Sequence, residues 1–275
     1  MGMKIALFTG GFSKYPIERA FEAAANYGYD GVEIGGFRPH AYAPDLKRGG
    51  AAKIKKLSED YGLPIVSYVP ENTGSPYSLV FEDKRLNQDS LDYFKLTLEM
   101  AKEIDSTYCM FACNHPGFGR NKEDVKKLFI ENLTILSEYA ESIGQTIILE
   151  PVTPYEGTII TTSDDVYWAL STINSPALKA MLDLACPHTV GEPVANYFEK
   201  LGKDLVHIHF VDSTADSEDH LIPGDGTIDF PRLVNYLYEV GYDGHLSLEL
   251  FSRYENEPFY AAQRGQQVIS ELLRR

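Results

Sequence analysis

Short runs of Ile, Leu, Val and Met alternate along the whole chain with longer segments whose apolar residues recur at helical spacing. The short runs predict strands at residues 4–9, 31–34, 65–69, 108–112, 146–150, 180–184, 206–211 and 245–250. The longer segments predict helices at residues 17–27, 50–61, 85–104, 123–143, 163–173, 194–201, 231–240 and 261–273. Because right-handed crossovers make such strands parallel, eight strand–helix units predict a (β/α)8 barrel, the TIM barrel.

One motif occurs at two of the predicted helix-to-strand connections. The segments NYGYDGVEI at 26–34 and VGYDGHLSLEL at 240–250 both place Gly-Tyr-Asp-Gly before a strand. The first glycine of each motif can adopt the left-handed conformation that ends a helix. The motif supports the barrel, although Gly-Tyr-Asp-Gly is equally a convenient turn. No Pro- or Ser-rich linker interrupts the chain, so residues 1–275 are expected to form a single domain.

Composition narrows the class of protein. The chain has 275 residues, 44% of them hydrophobic, and a formal net charge of −15, which disfavours nucleic acid as a partner. Its three cysteines, Cys109, Cys113 and Cys186, form no CxxC pair and favour a reducing compartment. No apolar run approaches the ~20 residues of a membrane span. We therefore expect a cytoplasmic protein without a membrane partner, and leave homo-oligomerisation open.

Four polar side chains close predicted strands. Glu150 ends TIILE, Asp183 follows AML, His209 follows VHI and Glu249 follows LSL, with separations of 33, 26 and 40 residues. A charge at the end of an apolar strand has no role in a core, since burying it unpaired costs several kcal/mol or shifts its pKa. The carboxyl ends of barrel strands open on one face, so the four side chains are expected to form one site.

Three carboxylates and one imidazole are a mostly hard-oxygen ligand set. Such a set favours one divalent ion, Mn²⁺ first, with Co²⁺, Mg²⁺, Ni²⁺ or Zn²⁺ as alternatives. Taken singly, each strand-end acid is more often a helix cap or an ion-pair partner than a metal ligand. Long loops after the second, third, fourth and seventh strands, at residues 35–45, 70–83, 113–121 and 212–226, are expected to form a pocket wall and lid.

Two further residues accompany His209 in the seventh strand and its loop. His207 is expected to point to the opposite side of the strand from His209, so that one imidazole faces the barrel mouth and the other packs outward. Asp212 either orients His209 or begins the following loop.

Several motifs resemble a known family. LEP at Glu150, LD at Asp183, HIHFVDS around His209, PGDGTIDF at 223–230 and LELF at Glu249 resemble the xylose-isomerase-like barrels, in particular their ketose 3-epimerase branch. The resemblance spans nearly the whole chain. Within that branch, the segments at 35–47, 153–156 and 192–202 are most similar to members that act on fructoselysine.

The resemblance implies a reaction and its residues. In the family the four ligands hold one divalent ion that chelates the ketone oxygen and a neighbouring hydroxyl of the sugar. The resemblance implies that Glu150 and Glu249 face opposite sides of C3, one removing its proton and the other returning a proton through a cis-enediolate. The implied substrate is a small ketose or fructosamine, with fructoselysine and psicoselysine as the epimers.

Six further residues are candidates for contact with the substrate. Glu156 matches a family position that contacts substrate oxygens, and Arg38, His40 and His115 are expected to line the pocket. The free-ketose epimerases carry a substrate-binding His where this chain has Cys186, and an Arg after the seventh strand that has no counterpart here. His188 and His220 are either replacements that bind the substrate or ordinary loop histidines.

Other functions share this ligand pattern. Sugar isomerases that move a carbonyl between C1 and C2, such as hydroxypyruvate or xylose isomerases, and inosose dehydratases use similar ligands. The AP endonuclease branch shares the barrel, and His115 sits where that branch carries a zinc ligand. That branch needs further ligands, however, and the third strand ends in VPENTG without a histidine. A noncatalytic binding barrel would be expected to lose Glu150 or Glu249.

Overall fold

The computed structural model describes residues 2–71 and 76–274. Within these ranges eight parallel strands close into one barrel in chain order, with the eighth strand beside the first. This architecture confirms the predicted (β/α)8 barrel. Residues 72–75 of the loop predicted after the third strand lie outside the described residues. The strands are β1 Lys4–Phe8, β2 Gly31–Gly36, β3 Ile65–Pro70, β4 Tyr108–Ala112, β5 Ile147–Glu150, β6 Leu178–Asp183, β7 Leu205–His209 and β8 His245–Leu248.

The helices between the strands surround the barrel. They are Ile17–Tyr27, Ala51–Tyr61, Lys84–Glu103, Lys122–Ile143, Ser163–Ile173, Ala195–Leu201, Phe230–Glu239 and Pro258–Leu273. The two glycines of the repeated motif, Gly28 and Gly241, have φ of 81° and 72° and follow helices as expected. No helix in the described part of the chain is long and apolar enough to cross a bilayer.

Several connections contain short helical segments that were not anticipated, among them those after β2 and β6. Ala43–Asp45 runs into Leu46–Gly50 after β2, and Ala185–Val190 follows β6 directly. Segments of three to six residues are too short to show helical periodicity, and Pro187 lies inside the second of them. The second segment matters for the site because it begins two residues after Asp183.

Side chains of each strand divide between two apolar layers. Ile147 and Leu149 of β5 belong to the large cluster between barrel and helices, whereas Ile148 belongs to a smaller cluster inside the barrel. Since side chains alternate along a strand, Glu150 lies on the same face as Ile148. The same alternation directs Asp183 to the side of Met181, which also belongs to the inner cluster. Strand register therefore directs these acids into the barrel mouth.

Candidate metal centre and active-site cavity

The barrel brings together the four side chains predicted as metal ligands. Glu150, Asp183 and His209 are the last residues of β5, β6 and β7, and Glu249 directly follows β8. One ligand atom from each lies within 4.8 Å of those of the others. All four side chains are buried, with His209 fully so. The group could therefore hold a metal ion.

His209 lies at the centre of this cluster. Its Nδ1 is 2.9 Å from Oε1 of Glu150, 2.7 Å from Oε2 of Glu249 and 3.7 Å from Oδ2 of Asp183. None of these contacts is aligned as a hydrogen bond, so Nδ1 is a buried atom without a hydrogen-bond partner in the described residues. A nitrogen lone pair facing three carboxylates has the composition of a divalent-ion site, and the residues fit such an ion.

The concentrated charge shifts the pKa of each group. Burial raises the pKa of Glu150 to about 8, an effect that His209 only partly offsets. Burial also opposes ionisation of His209, but the carboxylates of Glu249, Glu33 and Glu150 outweigh it and raise the His209 pKa well above its ordinary value. The raised pKa values of Glu150 and His209 both show that this buried site disfavours three uncompensated carboxylates, as a site for a cation would.

A cavity of about 120 Å³ is lined by three of the four candidate ligands, Glu150, Asp183 and Glu249. Its wall combines the acids with apolar and aromatic side chains, which suits a small polar molecule with one hydrophobic face. Besides Glu150, Asp183 and Glu249, the lining comprises Phe8, Phe37, Val69, Pro70, Glu71, Met110, Pro151, Val152, Glu156, Cys186, His220 and Phe251.

A second cavity of about 480 Å³ adjoins the first. Glu156, His220 and Phe251 line both cavities, so they form the boundary between them. The remaining lining of the outer cavity is largely charged and comprises Tyr155, Glu218, Asp219, Arg253 and Glu255. The outer cavity is therefore predominantly acidic, with one guanidinium.

Two of the six candidate substrate contacts reach the inner cavity, namely Glu156 and His220. Oε2 of Glu156 accepts hydrogen bonds from the backbone N–H and the hydroxyl of Thr153, at 3.0 and 2.8 Å, and burial raises the pKa of this acid. Nε2 of His220 lies 2.8 Å from Oδ2 of Asp183. Cys186 also lines the cavity, where burial raises the pKa of its thiol well above the ordinary value.

The other four candidates lie away from the lining of both cavities. Arg38 is exposed and pairs in a bidentate manner with Asp45, at 2.6 and 2.9 Å. His40 is buried with Nε2 3.1 and 3.0 Å from the carbonyl oxygens of Phe12 and Tyr15. The structure thus gives Arg38 and His40 structural partners in place of pocket positions.

His115 and His188 have local partners as well. Nδ1 of His115 accepts a hydrogen bond from the backbone N–H of Gly117 at 3.0 Å, within its own loop. Nε2 of His188, in the short helix after β6, lies 3.3 Å from the hydroxyl of Thr227. Neither imidazole lines the two cavities, so His115 is not placed in the pocket wall as expected, and for His188 the structure favours the alternative of an ordinary loop histidine.

The expected orientation of His207 was wrong. His207 and His209 are two residues apart, and the period of a strand is two, so both point into the barrel. Their rings lie 5.5 Å apart, and both approach one carboxylate, that of Glu33 on β2. Glu33 is fully buried and was missed because it lies in the middle of its strand. An acid inside the apolar run GVEIGG was a usable signal.

The hydrogen bonds of the Asp212 carboxylate lie within its own loop. The carboxylate accepts hydrogen bonds from the backbone N–H groups of Gly224 and Gly226, each at 2.8 Å, and of Ile228 at 3.1 Å. A Cβ on Gly226 would lie 2.4 Å from the Asp212 carboxylate, so the glycine permits this close approach. Of the two roles considered for Asp212, the structure therefore favours organisation of the loop that carries His220.

Comparison with known proteins agrees with this architecture. The family model described as xylose isomerase-like TIM barrel matches residues 21–272. The chain is 44% identical over 271 residues to a protein named fructoselysine 3-epimerase from Escherichia coli O157:H7, covering 98% of each. It is 31% identical over 245 residues to a protein named inosose isomerase from Bacillus velezensis, covering 86% of this chain and 83% of that one.

A solved structure shows the same fold at lower identity. The D-allulose 3-epimerase of Methylomonas sp. in complex with D-allulose superimposes with a TM-score of 0.82 at 18% identity, covering 98% of this chain and 97% of that one. The family match over most of the chain and the 44% identical relative agree with the closed barrel. The chain belongs to the xylose isomerase-like TIM barrel family.

Proposed function

We propose that this protein is a divalent-metal-dependent epimerase that inverts C3 of a fructosamine, interconverting fructoselysine and psicoselysine. The observation that carries the proposal is the 44% identity, over 98% of both chains, to a protein named fructoselysine 3-epimerase. A second relative of that name, from Shigella flexneri, has the same identity and coverage. These names bear out the expectation of an isomerase-class carbohydrate epimerase.

Glu150, Asp183, His209 and Glu249 would hold the ion, with Mn²⁺ as the first candidate because oxygen donors dominate the set. When bound, the ion polarises the ketone and stabilises the negative charge that develops on its oxygen. In this role the four side chains fix the ion at the floor of the inner cavity. The apolar wall, including Phe8 and Val69, excludes water from the sugar.

Inversion at C3 needs a proton acceptor and a proton donor on opposite faces of the sugar. Glu150 ends β5 and Glu249 directly follows β8, with β6 and β7 between these strands, which supports an approach of the two carboxylates to the sugar from different sides. One carboxylate removes the C3 proton and the other returns a proton to the far face, through a cis-enediolate. A single carboxylate would return the proton to the face it came from.

The outer cavity supports a substrate longer than a free ketose. Fructoselysine extends from its sugar through a cationic secondary amine to an amino acid carrying both charges. Glu218 and Asp219 are exposed carboxylates that suit the ammonium groups, while Arg253 suits the carboxylate. The sugar would occupy the inner cavity, and the lysine portion would pass the boundary formed by Glu156 and His220.

Isotope labelling tests the reaction. Protein stripped with a chelator and reloaded with Mn²⁺ is incubated with fructoselysine in deuterated water, and C3 is followed by NMR. We expect psicoselysine with deuterium at C3, no turnover by the stripped protein, and recovery with Mn²⁺ or Co²⁺. Deuterium at C1 or C2 would indicate carbonyl migration instead. Full turnover by metal-free protein would exclude the metal-dependent mechanism.

Inosose chemistry is the second candidate, and the relative named inosose isomerase favours it. Such a substrate is a compact ring that fills an inner cavity alone and leaves the acidic outer cavity unused. Parallel incubation with an inosose distinguishes the two candidates. Turnover of the inosose, as an isomer or with loss of water, and none of fructoselysine would replace the proposed substrate.

A further inference from the structure

A buried carboxylate lies directly beneath the four candidate ligands. Glu33 on β2 is fully buried inside the barrel, and its Oε2 lies 3.0 Å from Nε2 of His209. The same oxygen accepts a hydrogen bond from the hydroxyl of Ser247 at 2.6 Å. Glu33 thus joins β2 to β7 and β8 across the barrel interior. A carboxylate without solvent contact requires such partners, because an unpaired buried charge costs several kcal/mol.

The contact with His209 determines which ring nitrogen is available to an ion. A neutral imidazole carries one N–H, and the hydrogen bond made by one nitrogen selects the other as the ligand. Donation from Nε2 to Glu33 leaves the Nδ1 lone pair directed toward Glu150 and Glu249, at 2.9 and 2.7 Å. The geometry therefore matches a histidine held for coordination through Nδ1.

We propose that Glu33 is a positioning residue that fixes the ring orientation and tautomer of His209 and thereby sets the metal affinity of the site. The inference rests on the metal site of the proposed function and is independent of which sugar is turned over. Among the described residues the Glu33 carboxylate faces His207, His209 and Ser247, and Glu33 is not part of the lining of either cavity. Its effect on the reaction is therefore exerted through His209.

A second reading gives the same residues a different role. Glu33, His207 and His209 offer three ligand atoms within 4.8 Å of one another, enough for a separate metal ion. All three side chains are fully buried, and none of them lines either cavity. That ion would also compete for Nε2 of His209, which already faces Glu33 at 3.0 Å. The number of ions bound per chain distinguishes the two readings.

Metal titration of metal-free wild-type protein and three variants tests the proposal. The Kd for Mn²⁺ is measured by calorimetry without sugar, and the number of ions is counted by elemental analysis. We expect one ion per wild-type chain and a Kd about 10- to 100-fold higher in Glu33→Gln. Ser247→Ala, which keeps Glu33 beside His209, is expected to raise the Kd by a smaller factor.

Ser67→Ala is the matched control for loss of a buried polar group. Ser67 pairs with Glu33 in the strand register and is equally buried, and its hydroxyl has no hydrogen-bond partner in the described residues. The Kd of Ser67→Ala for Mn²⁺ should match that of the wild type.

Glu33→Asp retains the charge on a shorter side chain, so its Kd should lie between those of the wild type and Glu33→Gln. Thermal unfolding of every variant reports whether the barrel is intact.

Ring ¹⁵N NMR of the Zn²⁺-loaded protein reads the tautomer directly. In wild type we expect His209 with a protonated Nε2 and a metal-bound Nδ1, and in Glu33→Gln a mixture of ring states. An unchanged Kd in folded Glu33→Gln, or two ions per wild-type chain, would overturn the proposal. If metal binding depends on Glu33 but the loaded protein epimerises no sugar, the role of Glu33 is supported and the proposed function is excluded.

Discussion

His220, in the loop that follows β7, contacts Asp183 at the end of β6. Its Nε2 lies 2.8 Å from Oδ2 of Asp183 and 3.2 Å from Oε2 of Glu249. Burial opposes ionisation of this imidazole, but the carboxylate of Asp183 outweighs it and raises the His220 pKa well above the ordinary value. Without a metal ion, His220 therefore places a positive charge against two of the candidate ligands, and a bound ion must compete with that charge.

The first prediction concerns this competition. In His220→Gln the competing charge is removed, so Mn²⁺ affinity should be unchanged or higher, while KM for the sugar should rise because the side chain lines both cavities. Calorimetry and steady-state kinetics measure the two effects. His188→Gln is the control, since His188 lies off the cavity beside Thr227. Weaker metal binding in His220→Gln would instead indicate that His220 is itself a metal ligand.

The second prediction concerns proton transfer. Glu150→Gln and Glu249→Gln should each lower kcat by roughly 10²–10⁴-fold, with any loss of metal added to that, because the amide cannot accept the C3 proton. Rates are measured at saturating Mn²⁺, with bound metal quantified for each variant. Exchange of the C3 proton with solvent, followed separately from epimer formation, reports which half of the transfer survives. Near-normal turnover by a metal-loaded variant would remove that glutamate from the mechanism.

The third prediction is a pH dependence of stability away from the metal site. Asp225, in the loop after β7, accepts a hydrogen bond from Nη1 of Arg264 at 2.6 Å, and Arg264 holds the pKa of Asp225 below its ordinary value. Because its pKa is lower in the folded state, ionised Asp225 stabilises the protein at pH values above its unfolded-state pKa of about 3.9. This contribution is lost as the pH falls through the folded-state pKa.

Asp225→Asn should therefore reduce the free energy of unfolding by about 0.5–1 kcal/mol at pH 7, with the difference shrinking below pH ~4. Urea denaturation between pH 3 and 7 measures this difference. Asp243→Asn is the control, since Asp243 lies in the turn before β8, in the repeated Gly-Tyr-Asp-Gly motif. A difference for Asp225→Asn that stayed constant down to pH 3 would exclude ionisation of Asp225 as its source.

The sequence predicted the barrel and the four-residue cluster for one physical reason. Charges that close apolar strands must meet at the carboxyl-terminal mouth of a parallel barrel, and Glu150, Asp183, His209 and Glu249 do so. Glu33 lies in the middle of β2, where a rule restricted to strand ends does not apply. Applied along the whole strand, the cost of a buried charge would have found it.

Loop residues were harder to place from sequence. Whether a histidine beyond a strand faces the cavity depends on the path of the loop, which tertiary hydrogen bonds determine. Asp212 fixes one such path through the backbone of Gly224 and Gly226, and this loop carries His220 to Asp183. His115 instead bonds to Gly117 in its own loop. No spacing in the sequence distinguishes these two outcomes.

The last prediction tests the acidic outer cavity as the site for the lysine portion of the substrate. Arg253 is the guanidinium in its lining and is proposed to bind the substrate carboxylate, whereas a free ketose would not reach it. Arg253→Gln should therefore raise KM for fructoselysine by roughly 10-fold or more, corresponding to a charged hydrogen bond of about 1.5–3 kcal/mol.

Turnover of a free ketose, however slow, should be unaffected in the same variant, because the sugar site is intact. Arg274→Gln is the matched control: Arg274 is exposed after the last helix, which runs antiparallel to the strands and so ends at the opposite face of the barrel. Equal loss of activity toward both substrates in Arg253→Gln would mean that Arg253 supports the fold of the site. An unchanged KM for fructoselysine would mean that the lysine portion lies elsewhere.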